Sequence, residues 1–224
     1  MSLLTPASIA AVPISRCKLS ICRVMFTTLT LQVRGKPCFK YSQTCRISIY
    51  AMTKLAKTLK YGAFSLGLIL LIGLLIPEKI VIPVLGATKN DWNHNTFWYS
   101  PWGTSGVHKG IDIFGLKNTP VVAATSGMVI FSGVLGKGGN AIAILGPKWR
   151  IHYYAHLNQN NVAFGDFVNI NTQIATLGDT GNAAGKQPHL HYSILSIIPI
   201  PWLATMESQG WKKMFFLSPH KKLL

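Results

Sequence analysis

The sequence predicts a mainly β fold class: a compact antiparallel β-sheet domain preceded by one N-terminal transmembrane helix. Past Ala87, strand-length runs such as "GMVIFSGV", "NAIAILG" and "RIHYYAHL" are separated by Gly, Pro and Asn clusters at intervals of roughly ten residues. Ahead of them, Tyr61 to Ile76 is an apolar run without a charge, flanked by Lys54, Lys57 and Lys60. No internal repeat, coiled-coil heptad or low-complexity tract competes with that reading.

Length and charge set the outer limits. A chain of 224 residues holds one domain with appendages or at most two small ones. With 22 Lys+Arg against six Asp+Glu, its formal charge of +16 suits nucleic acid, an anionic membrane or an acidic wall polymer. The basic residues form no stripe with interleaved aromatics, and helix-turn-helix, zinc-finger and RNA-recognition signatures are missing, so no nucleic-acid partner is expected.

Residues 1–51 carry seven basic residues, no acid and all four cysteines, Cys17, Cys22, Cys38 and Cys45, without a sustained period. The cysteine spacings match no common zinc framework. This stretch reads as a disordered basic leader or as sequence upstream of a true start at Met52. Residues 52–87 read as a signal anchor. The run from Tyr61 approaches the roughly 17 to 25 residues of a spanning helix, and the lysine flank predicts that its N-terminal side stays in the cytoplasm. Cleavage near Gly86 is the alternative to an uncleaved anchor.

Residues 88–100 are expected to be a linker leading into the first strand, although Asn93, His94 and Asn95 could also cap a metal site. Residues 101–198 form the β domain. "LGKGGNA" lacks the Gly-Lys-Ser/Thr ending of a phosphate loop and reads as a hairpin turn. Residues 199–224 are an aromatic and basic tail, whose Trp202, Trp211, Phe215 and Phe216 suit either the core edge or a membrane surface, with His220 solvated.

Chemistry concentrates in three segments. In "QPHLHYSIL", His189 and His191 occupy alternate positions of a strand and project from one face. In "GVHKGIDIFG", His108 and Asp112 would lie about 13 Å apart in an extended strand, so a turn or bulge at Lys109 and Gly110 must bring them together. Two imidazoles and one carboxylate suit zinc, with a fourth tetrahedral position left open. A His–Asp ion pair is the simpler alternative. In "RIHYYAHLN", alternation puts His152, Tyr154 and His156 on one face, where Tyr154 would line a groove and His152 fits an exposed position equally well.

Together, "HKGID", "YAHL", "GDTGNAAG" and "HLHY" resemble the lysostaphin-type, or LytM-like, zinc metallopeptidases in both order and spacing, from about Trp102 to Leu195. The resemblance implies a barrel-sandwich hybrid fold and a zinc-dependent endopeptidase that cuts peptide crosslinks of bacterial peptidoglycan with metal-activated water as nucleophile. It implies His108, Asp112 and His191 as ligands of one Zn2+ per domain, and His156 and His189 as catalytic histidines that hold no metal. Asp179 is expected to be a turn residue within a small-residue loop that admits an extended peptide. Some relatives have lost their ligands and act as non-catalytic regulators of other wall hydrolases; all five residues are present here. The expected location is the bacterial cytoplasmic membrane, single pass, with the domain exported. Neither the bond cut nor the oligomeric state follows from sequence.

Overall fold

The computed structural model describes residues 42–224, with side chains from residue 50 onward. The expected leader up to residue 41, with Cys17, Cys22 and Cys38, lies outside the described residues, as does the side chain of Cys45.

A long helix, α1 (Ser42–Leu75), comes first. Its stretch from Tyr50 to Leu75, 26 residues, is long and apolar enough to cross a membrane and is not buried by the domain. At 1.5 Å per residue it reaches about 39 Å, against a hydrocarbon core of about 30 Å. It ends just before Pro77, whose ring and missing N–H stop the helical ladder. Helix also occupies residues 42–51, where the sequence offers no amphipathic period. The segment contains no Gly or Pro, and extending an existing helix is far easier than nucleating one.

The β domain contains, among the described residues, nine strands: β1 (Ile111–Phe114), β2 (Pro120–Val122), β3 (Gly127–Val134), β4 (Asn140–Gly146), β5 (Arg150–Asn160), β6 (Phe167–Val168), β7 (Gln173–Leu177), β8 (His189–Ser196) and β9 (Phe216–Leu217). All pairings are antiparallel, in the order β1-β8-β5-β4-β3-β6, with β7 joining β2 to β5 and β9 added to β8. Alternation sorts the side chains. Ile142 and Ile144 of β4, Tyr154 of β5, and Leu190, Tyr192 and Ile194 of β8 are wholly inaccessible in one core. Each fully buried Ile or Leu contributes about 1.5–3 kcal/mol. "LGKGGNA" is the expected hairpin turn, joining β3 to β4.

Residues 77–87 belong to this domain. Val84 is buried in the core and bridges Val121, while Val81 N–H and Val122 N–H bond Ala124 O and Pro83 O. Glu78 pairs with Arg150 and approaches His152.

The segment from 88 to 100 packs on the domain through buried Trp92 and Trp98. It forms no strand, but Trp98 N–H donates to His108 O at 2.7 Å and His108 N–H to Tyr99 O at 3.0 Å. At the C-terminal end, Phe216 pairs with β8 and packs on Trp98, and a short helix, α2 (Pro219–Leu223), follows. Trp202 and Trp211 remain exposed. His220 is not simply solvated: it accepts a bond from Trp92 Nε1 at 3.2 Å and stacks on His94.

Candidate metal centre and groove

Strand register builds the centre. Asp112 of β1 stands opposite His191 of β8, which on its other side stands opposite Ala155 of β5. His108 reaches the pair from the turn before β1. Gly110 makes this possible through close approach: a Cβ there would run into Tyr192 O, Ser193 Oγ and His191 Cε1. Its φ is not left-handed, so the glycine is needed for space rather than for an unusual backbone conformation.

The three candidate ligand atoms form a tight triangle. His108 Nε2 lies 3.1 Å from Asp112 Oδ1 and 3.1 Å from His191 Nδ1, and the last two are 2.9 Å apart. Hydrogen bonds on the outer side fix the tautomers. His108 Nδ1 is 3.1 Å from Thr96 O, so it carries the proton and Nε2 presents a lone pair. Ser193 Oγ donates to Lys109 O at 2.9 Å and accepts from His191 Nε2 at 3.0 Å, which leaves His191 Nδ1 as a lone pair as well. Two imidazole lone pairs and a carboxylate oxygen therefore converge on one point, an arrangement that a cation satisfies. Donors held tetrahedrally at zinc distances lie about 3.3 Å apart, within a few tenths of an ångström of these separations. Trp102 stacks on His108, ring centroids 4.2 Å apart, and covers one side.

His156 and His189 flank the triangle, with ring centroids 5.0 Å apart. Each is pinned through Nδ1, His156 to Thr180 O at 2.9 Å and His189 to Gln187 O at 2.7 Å, so each Nε2 is left free. Burial pushes the His156 imidazole down to about 4, which keeps it neutral at pH 7.

The expected alternation fails at His156. On β5, Ile151, Tyr153 and Ala155 face the groove, while His152 and Tyr154 face the core. His156 reaches the groove because its backbone is left-handed, φ 64°, costly for a residue with a Cβ. The expectation that Tyr154 lines the groove is thus corrected. Its hydroxyl is buried against Ala124 N–H at 2.9 Å, and Tyr153 takes the groove position. His152 is a core residue bonded to Tyr192 Oη at 2.7 Å, and burial drives it down to about 3.

The groove has a volume of about 810 Å³ and is lined by the three triangle residues, His156, His189 and Phe114 among others. One rim consists of two glycine loops in contact: a Cβ at Gly139, φ 63°, would strike Thr180 and Gly181. Asp179 is a turn residue paired with Lys117 at 2.8 Å. Asn93, His94 and Asn95 are not in the triangle, and His94 bonds Lys89 O. Sequence reasoning missed Ser193, Tyr153 and Trp102. Ser193 shares its face with His191 two positions away and was open to the same alternation argument; nothing local marks Trp102.

The Peptidase family M23 model matches residues 106–197, a span that contains every residue of the triangle and both flanking histidines. The chain is 30% identical over 142 residues to the L-Ala--D-Glu endopeptidase of Bacillus subtilis, covering 56% of this chain and 44% of that protein. It is 34% identical over 102 residues to Lysostaphin of Staphylococcus staphylolyticus, covering 43% and 21%. It spans less than half the length of either relative. Among solved structures, the catalytic domain of lysostaphin from Staphylococcus simulans is 32% identical, with 48% of this chain and 82% of that one covered and a TM-score of 0.44. Residues 106–197 form a peptidase family M23 domain.

Proposed function

We propose that this protein is a zinc-dependent endopeptidase that hydrolyses peptide crosslinks in bacterial peptidoglycan. The observation that carries the proposal is the convergence of His108 Nε2, His191 Nδ1 and Asp112 Oδ1, with both imidazole protons directed outward. These three residues would hold the ion. When bound, zinc supplies Lewis acidity, which lowers the pKa of water to about 7 and polarises a carbonyl.

The chain's own groups do the rest. His156 and His189 present oriented Nε2 atoms to the groove, suited to take the proton of an attacking water and return one to the leaving amine. Tyr153 and Phe114 offer apolar walls to an extended peptide, and the glycine loops let its backbone approach closely. Residues 101–198 would form the catalytic domain, with 199–224 closing its edge through β9.

In this reading α1 spans the bacterial cytoplasmic membrane once, its lysine flank inside and the domain exported. The anchor stays uncleaved, because Val84 is part of the core and Glu78 is paired with Arg150, so cutting near Gly86 would strip the domain of both.

The test is chelation of the full chain in detergent, followed by zinc addition. Loss and recovery of crosslink hydrolysis supports the enzyme. Stoichiometric zinc with no hydrolysis of either glycine-bridged or diamino-acid crosslinks contradicts it and favours a non-catalytic regulator.

A further inference from the structure

The turn between β4 and β5 reaches back to the apolar helix. Lys148 and Trp149 there are consecutive non-glycine residues with left-handed backbones, φ 59° and 56°, a costly geometry for side chains with a Cβ. Trp149 Nε1–H donates to Leu70 O of α1 at 2.9 Å, and a Cβ on Gly73 would run into the indole. Gly73 is a weak helix former inside an apolar run, and its missing side chain is what seats the ring.

That seat lies within the span. The charge-free stretch from Tyr61 to Ile76, sixteen residues, reaches about 24 Å, less than a hydrocarbon core of about 30 Å, so its ends are drawn inward. Leu70 lies about 7–8 Å from the helix end at Leu75, the depth of the boundary between headgroups and acyl chains, where tryptophan collects.

The surface around Trp149 is apolar and cationic. Ile197 N–H donates to Trp149 O at 3.0 Å, and the Ile197 side chain is exposed. Lys148 stands in the turn, Lys79 follows the helix end by four residues, and Lys222 belongs to α2. Burial first, and then the charges of Arg150 and Lys148, hold the Lys222 ammonium below the ordinary lysine range, so cations crowd at this end of the domain. Arg150 is paired with Glu78, whereas Lys79, Lys148 and Lys222 have no ion-pair partner among the described residues. A patch of this composition, tethered beside a membrane helix, meets lipid at high effective concentration before any other partner.

We propose that this end of the domain docks on the bilayer that α1 crosses, with Trp149 and Ile197 entering the headgroup layer and Lys79, Lys148 and Lys222 pairing with the phosphates of anionic lipids. This rests on the reading of α1 as a membrane anchor and on nothing in the metal centre. Docking sets the height of the groove. Five residues of β5 separate Arg150 from Ala155, which stands opposite His191, so the triangle lies about 16 Å along the strand from the docked end. The connection is firm as well, because Val84 is in the core and Glu78 is paired with Arg150.

The test uses the full chain in liposomes of phosphatidylcholine alone or of phosphatidylcholine with phosphatidylglycerol, made with lipids brominated near the carbonyl end of the acyl chain, which quench tryptophan on contact. The emission lost in Trp149→Phe separates the Trp149 signal from that of the other five tryptophans. The expected result is quenching of Trp149 in the anionic liposomes. The quenched-to-unquenched ratio should fall about fivefold for each of Lys148→Gln and Lys222→Gln and should weaken with salt. Gly73→Leu, which fills the seat of the indole and keeps the span apolar, should lower it too. Trp149 emission that stays unquenched, or is quenched equally with and without phosphatidylglycerol, overturns the proposal, and resistance of the same chain to extraction by alkaline carbonate then leaves the anchor standing. Extraction by carbonate defeats the anchor and the docking together.

Discussion

Asp112 and His191 stand directly opposite each other on antiparallel β1 and β8, with Oδ1 2.9 Å from Nδ1. The candidate metal centre is therefore a product of strand register, and a slip of β1 by one residue would turn Asp112 to the other face. Gly110 holds the crossing close. Gly110→Ala should cost about 1–3 kcal/mol of stability through overpacking and lower zinc affinity by more than the loss of fold explains. Thermal unfolding and chelator competition on one preparation separate the two effects.

Ser193 would act on a bound ion through His191. Ser193→Ala removes the acceptor that holds the His191 proton on Nε2. Zinc affinity should fall about 10- to 100-fold with the fold retained, measured by chelator competition and circular dichroism.

Tyr153 and Tyr154 are neighbours with opposite roles. Tyr154→Phe strands a buried Ala124 N–H and should lower stability by about 1–3 kcal/mol in denaturant titration. Tyr153→Phe should leave stability nearly unchanged and alter KM, since that side chain faces the groove.

His152 predicts an acid limb in stability. Fully buried between Tyr192 and Glu78, it stays neutral down to about 3 in the folded chain. The unfolded chain takes up the proton at about 6.5. The unfolded state binds more protons between these values, so this contribution is present above pH 6.5 and is lost as pH falls toward 3. Unfolding midpoints measured across that range should fall more steeply in the wild type than in His152→Gln, whose amide does not titrate.

The strands, the hairpin turn and the shared face of His189 and His191 were legible because period-2 alternation is a local property, whereas the five-residue set was implied only by the resemblance of the motifs. His108 and Asp112 needed one more step, the recognition that four extended residues cannot share an ion. The face of Tyr154 was misread because alternation along β5 was anchored on His156, whose left-handed backbone departs from the strand pattern. His220 on His94 and the insertion of residues 77–87 into the core join segments far apart in sequence. No short-range pattern encodes such contacts.

The most direct measurement compares zinc content and crosslink hydrolysis in the full chain, His189→Ala and His191→Ala. The account predicts one zinc per chain and hydrolysis in the wild type. It predicts zinc retained with hydrolysis reduced by about 10²–10⁴ in His189→Ala, and both lost in His191→Ala. Folded wild-type protein that binds no zinc, or hydrolysis that survives in His191→Ala, contradicts it.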